Sequence, residues 1–515
     1  MYEAGAKTVD CQWWETPWFA LVMILAAAVP LLWPALPPLS DLPGHMGRWH
    51  IATALPTSPD LQLYYAYQWA LVPNLGMDLL VPGLARWLGL EPATKVAVTA
   101  IPMLTVAGLL WTAREVHGRI PPTAIFALPL AYAWPFQFGF VNFALSQALA
   151  FCAFALWIRL GRQNRVLPKA VLFMPIAFVV WIAHSFGWGM LGLMAAAAEL
   201  AQIRRDGRRW LPALVTVAVR CLPLALPLIV MIVSALQAPA GGGAVGLGAA
   251  NWFDGTAKLL WAISILRDRW LLFDVASVML FVAVLYVAAR SPKLSFSSVL
   301  GWPALACLAA FAILPRLMMG GAYVDMRMAP AVVMLAVLAI MPPTGDLRFA
   351  KALAIAGTAF LALRLVGTTV SFVERSGEQQ RELAAIARIP HGVAVLSLVQ
   401  RPCGNMWSDL RRDALPGMAI VRRDVFTNAQ WALEGQQLLH IRYVPAAPYL
   451  ADPSQIVLPK PCRTFGSDFD AAIARFPRDA FSYVWTIGFP PGAAKASDLR
   501  VSWTNGESTL YRVVR

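Results

Sequence analysis

The chain has 515 residues, of which 59% are hydrophobic and only 14% charged, and its mean hydropathy is +0.60. Soluble domains carry about 25% charged residues, so the composition excludes a water-soluble enzyme and describes an integral membrane protein. The net charge of +14 does not point to nucleic acid, because many of the basic residues fall in short loops between apolar segments, where membrane topology requires them.

In chain order, residues 1–16 carry both charge signs, and the apolar run over 17–36 exceeds a signal-peptide core. It reads as a signal anchor. At about 20 apolar residues per crossing, further segments fall near 95–113, 121–137, 142–160, 170–186, 187–203, 211–236, 271–289, 298–314, 326–342 and 351–371. The pattern predicts a polytopic α-helical membrane protein of about eleven transmembrane helices. Its turns are short and use Pro and Gly, as at Pro121-Pro122 and Pro342-Pro343. One set of loops is densely basic, with Arg159, Arg162, Arg165 and Lys169 in one and Arg204, Arg205, Arg208 and Arg209 in another. These face the cytoplasm. The N-terminus is then cytoplasmic, the C-terminus extracytoplasmic, and the membrane the plasma (inner) membrane.

The stretch 67–90 is apolar but broken by Pro73, Asn74, Gly76, Asp78, Pro82, Gly83 and Arg86. As a crossing it would invert every later loop. It is therefore expected to form helices along the outer interface, with Trp69 and Trp87 at headgroup depth. Residues 251–270 are expected to lie similarly. Gly241-Gly242-Gly243 reads as a flexible loop and lacks the Lys and Ser/Thr of a phosphate loop.

From about Glu374 the composition becomes mixed. Residues 374–388 read as a charged amphipathic helix, 393–398 as a buried strand, 468–476 as a helix, and 481–489 and 509–514 as strands, with Asn505-Gly506 as a turn. Two domains are expected: a membrane module over 1–373 and a small extracytoplasmic α/β domain over 374–515. Cys403 and Cys462 are candidates for one disulfide if that domain faces an oxidising compartment. Cys152, Cys221 and Cys307 lie in apolar runs and read as core residues.

The densest polar chemistry lies at residues 40–50, directly after the first apolar segment. Asp41, His45, Arg48, His50 and two glycines share eleven residues. Polar groups at a membrane are expensive unless they function. On one helix Asp41, His45 and Arg48 share a face. Pro43 suits a first helical turn, with Ser40 or Asp41 as its cap. Asp41 is the candidate catalytic acid; the plainer alternative is a helix cap. One acid and two His within ten residues also leave a divalent metal open, with nothing to fix its identity.

A second constellation spans 320–330 and opens the tenth segment. Arg327 at a helix N-terminus can fork onto a phosphate; the plainer alternative is an Asp325–Arg327 pair that fixes the helix at the interface. Arg316 is a second candidate phosphate contact. His184 lies in a tight turn and is weighed as a substrate contact against a hydrogen-bonded turn residue. Gln137, Asn142 and Gln147 are candidates for binding hydroxyls, while Asp60, Asp78 and Asp254 read as structural.

An acid-bearing outer loop straight after the first span, interfacial helices in that loop, about eleven spans and an outer C-terminal domain together resemble the GT-C superfamily of glycosyltransferases. The resemblance covers the whole chain as architecture. It implies that Asp41 matches the superfamily's catalytic carboxylate in the first outer loop. It implies too that Arg327 and Arg316 match, in placement, the basic residues that hold the donor phosphate. The chain departs from the superfamily's adjacent acidic pair, since Leu42 follows Asp41. The implied activity is inverting transfer of a sugar from a polyprenyl-phosphate donor to a lipid, glycan or protein acceptor on the extracytoplasmic face. Asp41 would serve as base, with His45, Arg48, His50, His184, Arg316, Asp325 and Arg327 around the substrate. A flippase for lipid-linked saccharides would need ionisable residues at mid-span, which the sequence largely lacks there. A glycan ligase would share the same outer-face site.

Overall fold

The computed structural model describes residues 11–237, 249–318, 321–341, 346–404, 407–408, 411–432 and 437–514. The mixed-charge residues 1–10, the 241–243 glycines, Gly320 and the Pro342-Pro343 turn lie outside the described residues.

Seven helices among the described residues are long and apolar enough to cross a bilayer: Leu90–His117, Val141–Arg162, Val166–Ala183, Ser185–Arg205, Trp210–Val233, Leu271–Arg290 and Leu347–Arg388. Pro17–Leu32 and Ser298–Ile313 are shorter apolar helices. The remaining two apolar segments are helical but do not meet that length, so a count of eleven full crossings is not reproduced. The local cause is clearest at 121–137. Prolines at 121, 122 and 129 remove backbone donors, and the segment winds as the buried 3-10 helix Pro122–Tyr132, followed by the short helix Trp134–Phe138. The tenth segment is the 15-residue helix Val324–Leu338.

Helix Leu347–Leu383 has 37 residues and spans about 55 Å at 1.5 Å per residue. That exceeds a hydrocarbon core of about 30 Å, so one helix runs from the membrane module into the C-terminal domain without a break at 373/374. There the sheet has the order Ile456–Val457, Ala394–Gln400, Tyr483–Ile487, Thr509–Val513, Leu499–Thr504, with Phe426–Thr427 also paired to Ala394–Gln400. Pairings around Ala394–Gln400 are parallel and those made by Thr509–Val513 are antiparallel. Ala394–Gln400 is buried along all but its last residue, as a strand covered on both faces must be. Asn505-Gly506 lies between Leu499–Thr504 and Thr509–Val513, with Gly506 at φ +92°. Cys403 and Cys462 form a disulfide.

The first loop is built into the C-terminal domain. Its helix Leu42–Ala54 packs on helix Gly417–Arg423 through glycines: a Cβ on Gly417 would fall 2.3 Å from the Pro43 carbonyl oxygen, and one on Gly47 would fall 2.4 Å from Gln430. Strand Tyr65–Tyr67 pairs antiparallel with Leu439–Ile441. The stretch expected along the interface contains helix Gly76–Leu88. Its 13 residues reach about 20 Å, too short to cross, and Leu79, Leu80 and Trp87 are exposed. Residues 251–270 hold the nine-residue helix Gly255–Ile263, capped by Asp254.

Candidate active site

Asp41 is held by its backbone. Its N–H donates to the Phe138 carbonyl at 2.9 Å, and the Ser40 N–H to the Gln137 carbonyl at 3.4 Å. Gly139, at φ +105°, lies so close that a Cβ there would meet the Asp41 nitrogen at 2.6 Å. The turn after Trp134–Phe138 is thus shaped to seat this one residue. Asp41 occupies the N-cap position of Leu42–Ala54, yet its side chain makes no capping hydrogen bond. Capping therefore does not account for the carboxylate, which lines a cavity of about 370 Å³ between the membrane module and the C-terminal domain.

Asp41, His45, His184 and Arg327 all line this cavity. Arg327, in the first turn of Val324–Leu338, lies over the Phe140 ring at 4.3 Å. Its Nη2 donates to the Ala322 carbonyl at 3.2 Å, its Nη1 lies 3.1 Å from His184 Nε2, and its Nε is buried with no hydrogen-bond partner among the described residues. Asp41 is close enough for its charge to act on this guanidinium. The Phe186 N–H donates to His184 Nδ1 at 3.0 Å. A neutral imidazole has one lone pair, so two N–H donors compete for it. This end of the cavity has donors in excess, a composition that suits an oxyanion.

His45 has a different character. Its ring stacks on Trp49 and meets Trp431 at 5.2 Å. Burial first, and Arg48 second, bring its pKa down to about 3. It is neutral near pH 7 and too weak a base to take a proton there. Proton acceptance on this side of the cavity falls to Asp41.

Four expected contacts do not line the cavity. Arg48 is consumed by Asp78, with Nε to Oδ1 at 2.8 Å and Nη2 to Oδ2 at 3.0 Å, and it also donates to Gln437. Burial alone would raise the Asp78 carboxyl, but Arg48 and an Asn142 hydrogen bond hold it below the usual carboxylate range. The pair locks helices Leu42–Ala54 and Gly76–Leu88 together. His50 donates to Asp424 at 2.7 Å. Arg316 lies against Tyr323 and Trp261. Asp325 caps the Met326 N–H and pairs with Lys258 at 3.4 Å; no Asp325–Arg327 bridge occurs among the described residues. Of the weaker candidates, Asn142 lines the cavity, while Gln137 is engaged by Arg411. No cluster of three His, Cys, Asp or Glu placed to hold a metal ion occurs among the described residues.

The rest of the wall comes from the C-terminal domain and includes Arg401, Asp413, Trp431, Gln437, Asp452 and Gln455. None of these was singled out from the sequence. They come from separate loops of a mixed-composition region, and no spacing marks them as one group.

No protein-family model and no curated protein matches the sequence. Solved structures do. The crystal structure of ArnT from Cupriavidus metallidurans bound to undecaprenyl phosphate aligns with a TM-score of 0.50 at 12% identity, over 96% of this chain and 97% of that one. The apo structure of ArnT from the same organism aligns with a TM-score of 0.51 at 13% identity and the same coverage. This chain shares the fold of those two structures. The likeness runs through the membrane helices and the C-terminal domain alike, since both chains are covered almost from end to end. Within this shared fold the cavity lies where the first loop, the start of Val324–Leu338 and the C-terminal domain meet.

Proposed function

We propose that the chain is a glycosyltransferase that moves a sugar from a polyprenyl-phosphate donor to an acceptor on the extracytoplasmic face, by direct displacement with inversion. The observation that carries this reading is the meeting of Asp41, Arg327 and His184 in one cavity. The fold adds support, because a protein that shares it was crystallised with undecaprenyl phosphate.

The donor phosphate binds at the donor-rich end, between Arg327 and His184. The amino end of helix Val324–Leu338 adds its partial positive charge. The acceptor hydroxyl attacks the anomeric carbon, and Asp41 takes its proton. As the new C–O bond forms, the bond to the phosphate oxygen breaks. Polyprenyl phosphate leaves with that electron pair as an anion stabilised by Arg327, so no proton donor is required. Asp41 works without an adjacent second acid. An outward-facing site is supported by the basic loops of the opposite side and by the Cys403–Cys462 disulfide, a bond suited to an oxidising compartment.

Replacing Arg327 by Gln tests the phosphate assignment. A hydrogen bond to a charged group contributes about 1.5–3 kcal/mol, so undecaprenyl phosphate should bind the purified variant about 10- to 100-fold more weakly in a titration in detergent. Unaltered affinity would remove Arg327 from the donor site. Product analysis in the same preparation separates single-sugar transfer from block transfer of a glycan, the ligase outcome, and from translocation without bond change.

A further inference from the structure

The share of the cavity wall contributed by the C-terminal domain differs in chemistry from the share contributed by the membrane module. Asp452 Oδ1 accepts from Gln455 Nε2 at 2.6 Å. The same amide approaches the Asp413 carbonyl at 3.5 Å, and Arg401 pairs with the Asp413 carboxylate at 3.4 Å. The Asp452 N–H donates to the Gln430 carbonyl at 3.0 Å, which fixes the backbone at this point. Gln455 is 1% exposed, and its Oε1 is buried with no hydrogen-bond partner among the described residues. A buried acceptor left unpaired is uncommon in folded proteins and calls for a donor from elsewhere. Burial holds the Asp452 carboxyl above its usual range, against the opposing effects of Gln455 and Arg401.

Two carboxylates against one guanidinium make this part of the wall unsuited to a second phosphate. It suits a group whose every polar atom both donates and accepts. Ring hydroxyls have that property: one can donate to Gln455 Oε1 and another to the Asp452 carboxylate. Trp431 lines the same cavity beside His45 and offers an aromatic surface of the kind that packs against the C–H face of a pyranose or furanose ring.

We propose that Asp452, Gln455 and the Arg401–Asp413 pair, with Trp431, form the subsite for the hydroxyl-bearing ring of the transferred sugar, distinct from the phosphate end at Arg327. This rests on the proposed function, since it assigns the sugar end of the same donor. The C-terminal domain then sets which sugar is accepted, and the membrane module holds the lipid phosphate.

The test compares the full-length wild-type protein with Asp452→Asn and Gln455→Leu, each checked for a cooperative melting transition. Binding is measured for undecaprenyl phosphate and for undecaprenyl phosphate carrying glucose, mannose or arabinose. The wild type should bind at least one glycosylated lipid about tenfold more tightly than undecaprenyl phosphate, a gain in line with one or two hydrogen bonds. Each variant should lose that gain and keep its affinity for undecaprenyl phosphate. The subsite is overturned if the gain survives in both folded variants, or if the wild type prefers none of the three sugars. Failure of the underlying functional reading looks different: the wild type would bind none of the four lipids, and the subsite would fall with it. Gln455→Leu changes no charge, so it keeps the test decisive if Asp452→Asn does not fold.

Discussion

Asp41→Asn should lower sugar transfer by about 10²- to 10⁴-fold, the usual worth of a positioned general base, while the variant melts like the wild type and still binds undecaprenyl phosphate. Both halves of the expectation come from how Asp41 is held. Its position is set by the backbone, through the Phe138 carbonyl and the close approach of Gly139, and the side chain contributes no helix cap. An isosteric amide therefore keeps the backbone seat and removes the proton acceptor. His45 offers no bypass, because burial and Arg48 bring its ring down to about 3. Phosphate binding should hold or tighten, since Arg327 loses a neighbouring negative charge. Radiolabelled transfer from a polyprenyl-phosphate sugar measures the effect. Transfer at the wild-type rate would exclude Asp41 as the base.

The second large effect is expected at Arg411. Its guanidinium, contributed by the C-terminal domain, is fully buried. Nη1 donates to the Pro38 carbonyl at 2.5 Å, and Nη2 donates to Gln137 Oε1 at 2.8 Å and to Asp268 Oδ1 at 3.1 Å. Pro38 lies three residues before Asp41, and the Gln137 carbonyl accepts from Ser40. One side chain thus ties together the two segments that seat the candidate base. Arg411→Met would leave buried Asp268 with Arg375 at 3.7 Å and Ser371 at 2.7 Å but without its nearest cation. Breaking a buried pair from one side costs about 3–5 kcal/mol, so the melting temperature should fall clearly and transfer should fall with it. Arg411→Lys should rescue little, because one ammonium does not reproduce a planar fork aimed at three acceptors. A melting temperature unchanged in Arg411→Met would mean that this contact does not join the two parts.

Much of the architecture was legible in the sequence because it rests on local pattern. Apolar length identified the membrane helices, the breakers within 67–90 indicated a helix too short to cross, and the Asn505-Gly506 turn marked a hairpin. Asp41 and Arg327 stood out because polar groups at a membrane surface carry a cost. What the sequence hid depends on distant partners. Arg48 looked like a companion of Asp41 on one helix face, but Asp78, 30 positions away, claims it, and His50 goes to Asp424, 374 positions away. The alternative Asp325–Arg327 pair does not form among the described residues, because Asp325 goes to Lys258, 67 positions away. The C-terminal wall of the cavity was invisible for the same reason, since Arg401, Trp431 and Asp452 come from separate loops and come together only once the C-terminal domain folds. The prolines at 121, 122 and 129 were visible, but they set the winding of a whole segment and did more than mark its turn.

The most direct test of the account is a cryo-electron microscopy structure of the full-length protein with undecaprenyl phosphate. The phosphate should lie within hydrogen-bonding distance of Arg327 and His184, in the cavity that Asp41 lines. A phosphate bound elsewhere on the protein, with this cavity empty, would contradict the assignment of the active site.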